Sequence, residues 1–319
     1  MIRPAVILNM GRLGRAINEP RFESILSDLP DVSAKAIQVH FDLSKCLVFS
    51  PGLSVRFLSV LNQLDLERPG QVSVEFSERS SLFSNLDSSG FFGLLSPAIV
   101  TRPEKPALSQ SLFRHRLSRN VSEICALIPG ASGSHRKAVV DALCEPLNKR
   151  GTLDLKSPAF TVLTELCENV FIHSGTHIPG YASLKAHFDA RRPRLEVAVS
   201  DSGQGIPETI RGAIGGRFAR KADWEIVVEA FRQGLSRMGR DSGRGCGLVR
   251  CAQLAAEYKS ELIVRTPRAL IRLRPWAFGD KHGAHVFRNV CEIRGTHVCF
   301  QFRLTPKDVR STLSLIATD

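Results

Sequence analysis

The sequence predicts an α+β fold, a two-layer sandwich of helices on a sheet, preceded by a small α/β module. Three observations carry this. Strand-like and helix-like patterns alternate over residues 36–95, helical patterns dominate from 109 to 173, and strands gather late in the chain, near 195–200, 261–265, 270–274 and 296–304. Helices followed mostly by strands point to an α+β sandwich.

The chain has 319 residues, enough for roughly two domains at ~150 residues each. With 43% apolar and 23% charged residues, the composition excludes a disordered or fibrous protein. The net charge of +12 fits a nucleic-acid surface, an acidic protein partner or an anionic small ligand. The basic residues are spread out, and no Lys/Arg run is interleaved with aromatics as a single-strand platform requires. No apolar run approaches the ~18 residues of a membrane span, and the start, Met1 to Asn9, is too short for a signal peptide, so a soluble cytoplasmic protein is expected. Eight cysteines without a Cys-x-x-Cys pair read as small buried hydrophobes of a reducing compartment. His282, His285, Cys291, His297 and Cys299 match no zinc spacing and read as strand and loop residues.

The elements of the first module follow from period and breakers. Ile37, Val39 and Phe41 alternate as one strand face, and Val72, Val74 and Phe76 as another. Between them Leu53, Phe57, Val60, Leu61 and Leu64 recur at helical spacing behind the breaker Ser50-Pro51-Gly52. A short helix over 80–86 precedes Gly90-Phe91-Phe92-Gly93. Pro97 to Pro106 holds three prolines and mixed charge, which places a linker at 98–108 between domains at 1–97 and 109–319. In the second domain the periodicity predicts helices near 109–127, 134–149, 158–173 and 246–258. A further helix over 223–236 has Trp224, Val227, Val228, Phe231 and Leu235 on one stripe.

Three stretches carry chemistry. In Thr164-Glu165-Leu166-Cys167-Glu168-Asn169-Val170-Phe171-Ile172-His173, the residues Glu165, Asn169 and His173 fall at i, i+4 and i+8 along one edge of a helix, opposite Leu163, Leu166 and Val170. An Asn carbonyl oxygen suits Mg²⁺, and a carboxylate one turn away can polarise a water or hydroxyl. Taken alone, the spacing is also that of the wet side of any amphipathic helix. In Ser200-Asp201-Ser202-Gly203-Gln204-Gly205-Ile206-Pro207 an alternating strand delivers an acid to its end. That carboxylate can accept from an exocyclic amino group, while Gly203 and Gly205 let the backbone approach a flat ring; an ordinary strand-to-loop turn has the same composition. Asp241-Ser242-Gly243-Arg244-Gly245-Cys246-Gly247-Leu248 opens a helix with unpaired N–H groups suited to phosphate, with Arg240 and Arg244 beside it. It fits neither the Gly-x-Gly-x-x-Gly nor the Gly-x4-Gly-Lys-Ser/Thr pattern. The thirty-seven residues between Gly205 and Gly243 are long for a connection within one domain, which suggests a lid.

The order of these boxes, followed by Gly295-Thr296-His297-Val298-Cys299-Phe300, resembles the Bergerat-fold ATP-binding domain of the GHKL superfamily over roughly residues 109–304. The resemblance implies ATP held between a helical layer and a mixed sheet, with Mg²⁺. Glu165 corresponds to the general base, Asn169 to the Mg²⁺ ligand and Asp201 to the adenine reader, with Gly203 and Gly205 beneath the ring and His173 and Ile206 among the cofactor-binding residues. Gly243, Gly245, Gly247 and Leu248 correspond to the phosphate loop, with Arg240 and Arg244 beside it, and Thr296 to the threonine that supports the Asp. Glu165 before Asn169, with His173 after it, is most similar to anti-sigma-factor serine kinases. No histidine followed by Glu stands as a phosphoacceptor, since His115 and His135 are followed by Arg. The first module loosely resembles a STAS domain, although Phe49 stands where an acid precedes the serine in that family. Ser50 therefore reads as a helix N-cap first and a phosphosite second. The implied activity is slow ATP hydrolysis or serine/threonine phosphoryl transfer in a regulatory switch. A non-catalytic ATP-sensing switch is the alternative, and nucleic-acid binding the third reading. The implied partners are ATP, a protein regulator or phosphoryl acceptor, and a second copy of the chain.

Overall fold

The computed structural model describes residues 5–29, 37–78, 80–106, 123–149, 155–187, 194–233, 247–277, 283–287 and 290–304. The fold divides into two compact units, Met1–Ile124 with Asn289–Glu292, and Cys125–Arg288 with Ile293–Asp319.

The first unit runs β1 (Ala5–Asn9), β2 (Ala16–Ile17), α1 (Glu19–Leu26), β3 (Gln38–Leu43), β4 (Val48–Phe49), α2 (Pro51–Glu67), β5 (Val72–Phe76), α3 (Ser81–Ser88), α4 (Phe91–Leu94) and β6 (Val100–Arg102). Its main sheet has the order β1-β3-β5-β6, parallel throughout. Period-2 alternation decides the faces: Val39, Phe41, Leu43, Val72, Val74 and Phe76 are buried, while His40, Asp42, Ser73 and Glu75 stay half-buried on the other side. α2 starts where Ser50 caps it, Oγ accepting from the Leu53 N–H at 3.3 Å with Pro51 at the first helical position. The same hydroxyl donates to Glu19 Oε1 at 2.9 Å. Phe57 on α2 is the hub of the core: the rings of Phe22, Phe41 and Phe49 meet it edge-on at 5.8, 5.3 and 5.5 Å, and Phe91 stacks on it at 6.0 Å.

β6 lies inside the span read as linker. Its residues Val100, Thr101 and Arg102 pair with Ser73, Val74 and Glu75, so the proline-rich segment adds an edge strand to the first sheet. Pro97, Pro103 and Pro106 flank that strand rather than interrupt it, which is where proline is tolerated beside a sheet.

The second unit follows with β7 (Ile124–Leu127), which begins at the last residue of the first unit, then α5 (Gly133–Lys149), α6 (Lys156–His173), β8 (Gly180–His187), β9 (Arg194–Ser200), α7 (Ile206–Ile214), α8 (Asp223–Gln233), α9 (Gly247–Glu257), β10 (Glu261–Thr266), β11 (Ala269–Leu273), β12 (Ala284–Phe287) and β13 (His297–Arg303). The strands form one sheet in the order β12-β11-β10-β13-β9-β8-β7. Its pairs from β12 through β8 are antiparallel. One core joins the layers: Val162, Leu163, Leu166 and Val170 of α6, Val227 and Phe231 of α8, and Cys251 and Ala255 of α9 pack on Leu195, Val197, Val199, Val264, Val298 and Phe300 of the sheet. This is the two-layer α+β sandwich the sequence predicts. At the start of the unit the reading differs, because residues 124–127, placed at the end of a helix over 109–127, are strand. Ile-Cys-Ala-Leu is too short an apolar run to separate helix from strand by period, so pairing in the sheet decides. The other expected helical residues, 109–122, lie outside the described residues.

α8 also differs in detail. Trp224, expected on its apolar stripe, is 40% exposed, and the buried stripe is Asp223, Ile226, Val227, Ala230 and Phe231. Asp223 turns inward because Arg211 of α7 meets it at 2.7 Å.

Phe57→Ala, which removes a ring touched from four directions, should lower the unfolding free energy of the chain by about 3–5 kcal/mol. Denaturant titration of the full-length protein reads this, and a loss below about 1 kcal/mol would show that the rings repack without it.

Candidate functional site

α6 supplies the first wall. Its inward positions are apolar and buried, which leaves Glu165, Asn169 and His173 half-buried along one edge, as their four-residue spacing predicts. The helix carries two more-or-less adjacent carboxylates with different partners. Glu168 is held by Arg136 of α5, Nη1 to Oε2 at 2.9 Å. Glu165 faces the start of α9, where a Cβ on Gly247 would stand 2.7 Å from its Oε2 and Arg250 Nη1 lies 3.6 Å from its Oε1. With glycine as the first residue of α9, the Glu165 carboxylate reaches the helix start without having to swing aside. The helix start, with its outward N–H groups and positive dipole end, therefore borders the edge that carries Glu165 and Asn169.

The second wall is the end of β9. The Asp201 N–H donates to the Thr296 carbonyl at 2.9 Å, and the Gly203 N–H donates to Asp201 Oδ1 at 2.7 Å. The Gln204 N–H donates to the Ser174 carbonyl at 3.1 Å and ties the loop to the end of α6. Backbones meet here at distances no side chain would permit. A Cβ on Gly203 would fall 1.9 Å from the Ser174 oxygen, and one on Gly295, at φ +101°, 1.9 Å from the Asp201 oxygen. Gly180 is packed less tightly but still closely, at 2.6 Å from Val170 Cγ1 and 2.8 Å from the Ser200 oxygen by the same measure. Burial pushes the Asp201 carboxyl up to about 6, against the N–H groups of Gly203 and Thr296, which pull it down. Two main-chain donors do not offset the desolvation, so this carboxylate gains from a further donor, such as an exocyclic amino group.

Beyond Gly205, Ile206 opens α7, and its side chain and that of Leu248 pack both on the main core and on a small cluster of Ile210, Phe218, Ile226 and Ala230. That cluster belongs to the segment between the glycine loops. The segment is braced by Arg211, which meets Asp223 and Glu208 at 2.7 Å each and donates to the Lys221 carbonyl at 2.8 Å, and by the Lys221–Glu229 ion pair. Within the span expected as a lid, residues 206–233 form a packed helical layer with its own small core, and residues 234–242 lie outside the described residues.

The fold gathers the expected residues into two patches. Asp201, Gly203, Gly205 and Thr296 meet at the end of β9, and Glu165 meets Gly247 at the start of α9. Val170, one residue after Asn169, touches the Gly180 position and links the α6 edge to the Asp201 patch. Ile206 and Leu248 close the seam between the helical layers, and His173 stands half-buried in the last turn of α6. Arg240, Gly243, Arg244 and Gly245 lie outside the described residues. Sequence reasoning passed over Arg250, Gly180 and the Ser174 carbonyl. Arg250 carried a legible signal, being a cation one turn after Gly247. Gly180 and Ser174 carried none, since their importance is a distance between strands.

Residues 155–306 match the family model for histidine kinase-, DNA gyrase B- and HSP90-like ATPases. A GHKL-type ATPase domain occupies this stretch. No curated protein matches the chain. The ATPase domain spans α6 to β13, so it contains both patches. Its residues fit the family's ligand, ATP with Mg²⁺. The glycine cradle holds a carboxylate in need of a donor, Asn169 offers a neutral oxygen of the kind Mg²⁺ takes, and the start of α9 offers N–H groups to phosphate.

Below about pH 6 the Asp201 carboxyl is protonated, so it loses its charge, turns one oxygen into a donor and accepts more weakly from an amino group. ADP affinity should therefore rise with pH through about 6 and level off above neutrality, while Asp201→Asn should flatten the profile. Isothermal titration from about pH 5 to about pH 8 reads this. An unchanged profile in the variant would show that Asp201 does not contact the base.

Proposed function

We propose that the ATPase domain binds Mg-ATP and either hydrolyses it slowly or passes its terminal phosphoryl group to a protein serine or threonine, in a regulatory switch. The observation that carries this reading is the contact between Gly247 and the Glu165 carboxylate, which puts a general base beside the helix start best suited to hold phosphate. Asp201 would accept from the adenine amino group, with Gly203 and Gly205 letting the ring lie against main chain. Thr296 holds the Asp201 backbone in place, and Ile206 and Leu248 join the main core to the small cluster of Ile210, Phe218, Ile226 and Ala230. Asn169 would hold Mg²⁺, which supplies charge neutralisation on the phosphates. His173 lies on the same edge. Gly243 and Gly245 would extend the main-chain donors begun at Gly247, with Arg240 and Arg244 adding charge.

The chemistry asked of the protein is modest. Glu165 takes a proton from the attacking water or hydroxyl as its oxygen bonds to the terminal phosphorus, and the bridging oxygen leaves on ADP. Phosphoryl transfer rests on positioning and electrostatics more than on covalent participation by the enzyme.

Two finer readings rest on particular residues. Kinship with anti-sigma-factor serine kinases is supported by Glu165 and His173 flanking Asn169. A STAS-like role for residues 1–97, ahead of a connection at 98–108 and a catalytic region at 109–319, is supported by the strand–Ser50-Pro51-Gly52–helix turn. In that turn the Ser50 hydroxyl is engaged as the α2 cap and by Glu19, which favours the capping role. A cytoplasmic setting suits both readings.

Two measurements test the assignment. In titrations with a non-hydrolysable ATP analogue, Asn169→Ala should remove mainly the Mg²⁺-dependent part of the affinity, whereas Asp201→Ala should weaken binding with and without Mg²⁺; small, equal effects would count against it. Glu165→Ala should bind the analogue at least as tightly as wild type while turnover falls by about 10²–10⁴-fold. Wild-type binding with neither hydrolysis nor transfer would replace the enzyme with an ATP-sensing switch.

A further inference from the structure

Two arginines meet the two carboxylates of α6, and they are held very differently. Arg136 is anchored: its Nη1 lies 2.9 Å from Glu168, and its Nε donates to the Ala131 carbonyl at 2.8 Å. Its guanidinium also lies over the Phe171 ring. Arg250 is loose. Its Nη1 lies 3.6 Å from Glu165, beyond a good hydrogen bond, and its side chain is 60% exposed against 29% for the glutamate. A solvent-exposed pair at this distance is weak and readily exchanged.

Position gives the looseness a direction. Arg250 stands three residues after Gly247 in the first turn of α9, and helical side chains lean back towards the N-terminus of their helix. Its guanidinium is therefore aimed at the end of α9 where phosphate is expected. Cys251 registers the same convergence: burial raises its thiol pKa most, the Glu165 charge raises it further, and the Arg250 charge lowers it. A guanidinium fork pairs with phosphate oxygens bidentately and with shorter, stronger bonds than it makes at 3.6 Å to this carboxylate.

We infer that Arg250 senses the terminal phosphate, resting on Glu165 when that phosphate is missing and moving to it when a triphosphate is bound. This inference rests on the proposed ATP site and adds to it a discriminator between triphosphate and diphosphate. Arg250 acts here as a binding residue.

The experiment is isothermal titration of the full-length chain with ADP and with a non-hydrolysable ATP analogue, both with Mg²⁺, for wild type, Arg250→Ala, Arg250→Lys and Glu165→Gln. Arg250→Ala should weaken the analogue by about tenfold and ADP by less than about twofold, and Arg250→Lys should recover part of the loss. Glu165→Gln removes the competing carboxylate, so analogue affinity should rise about threefold, a gain that vanishes when Arg250→Ala is combined with it. Thermal melting should show all variants folded, because Arg250 is exposed. If wild type binds both ligands and Arg250→Ala weakens them equally or not at all, the inference is overturned while the ATP site stands. If wild type binds neither, the site itself fails and takes the inference with it.

Discussion

The site depends on one close approach of main chain to main chain, where the end of β9 meets the Gly295–Thr296 step that enters β13. Asp201 donates its N–H to Thr296, and the two backbones are so near that a Cβ at position 295 would sit 1.9 Å from the Asp201 oxygen. That contact turns an ordinary strand end into a rigid mount for a carboxylate. It also sets the desolvation that makes the carboxylate seek a donor. A side chain at Gly203 or Gly295 would have to push β9 away from β13 or from the end of α6. The antiparallel register from His297↔Ser200 to Arg303↔Arg194 would then lose its first anchor.

The rest of the second unit serves this mount and its counterpart on α6. Leu166, Cys167 and Val170 bury against the sheet, so the Glu165–Asn169–His173 edge has one possible outlook. α9 packs through Cys251 and Ala255 into the same core, and the absence of a side chain on Gly247 lets its start close on Glu165. The sheet that carries both patches has its own internal tie. Glu196 is fully buried, takes a hydrogen bond from Gln301 at 3.1 Å and lies across from Lys185, whose charged form is disfavoured by burial. A buried charge with close partners suits a sheet that must hold one register.

Legibility in the sequence followed the range of the interactions. Helix α6, its buried and half-buried sides and the strands β3, β5 and β9 are set by periodicity, a property of a few neighbouring residues. So is the Ser50 cap, where the serine hydroxyl satisfies an N–H three residues on. The Glu165, Asn169 and Asp201 positions were readable for the same reason, as each lies at a repeat or an element end. β7 was misread because four apolar residues fit either period, and β6 because flanking prolines masked a strand that exists only by pairing with β5. Trp224 faces outward because an ion pair between Arg211 and Asp223, twelve residues apart, turns α8.

Local spacing and side-chain type encode the main elements, their apolar faces and the order of the glycine and acidic boxes, so these are legible without the fold. Tertiary structure alone decided which of those boxes touch. It brought Gly247 against Glu165, closed Gly180 and Ser174 around the acidic strand end, and set a loose arginine opposite one carboxylate and an anchored one opposite another. These are distances between segments far apart in the chain, fixed only when the sheet registers and the helices pack.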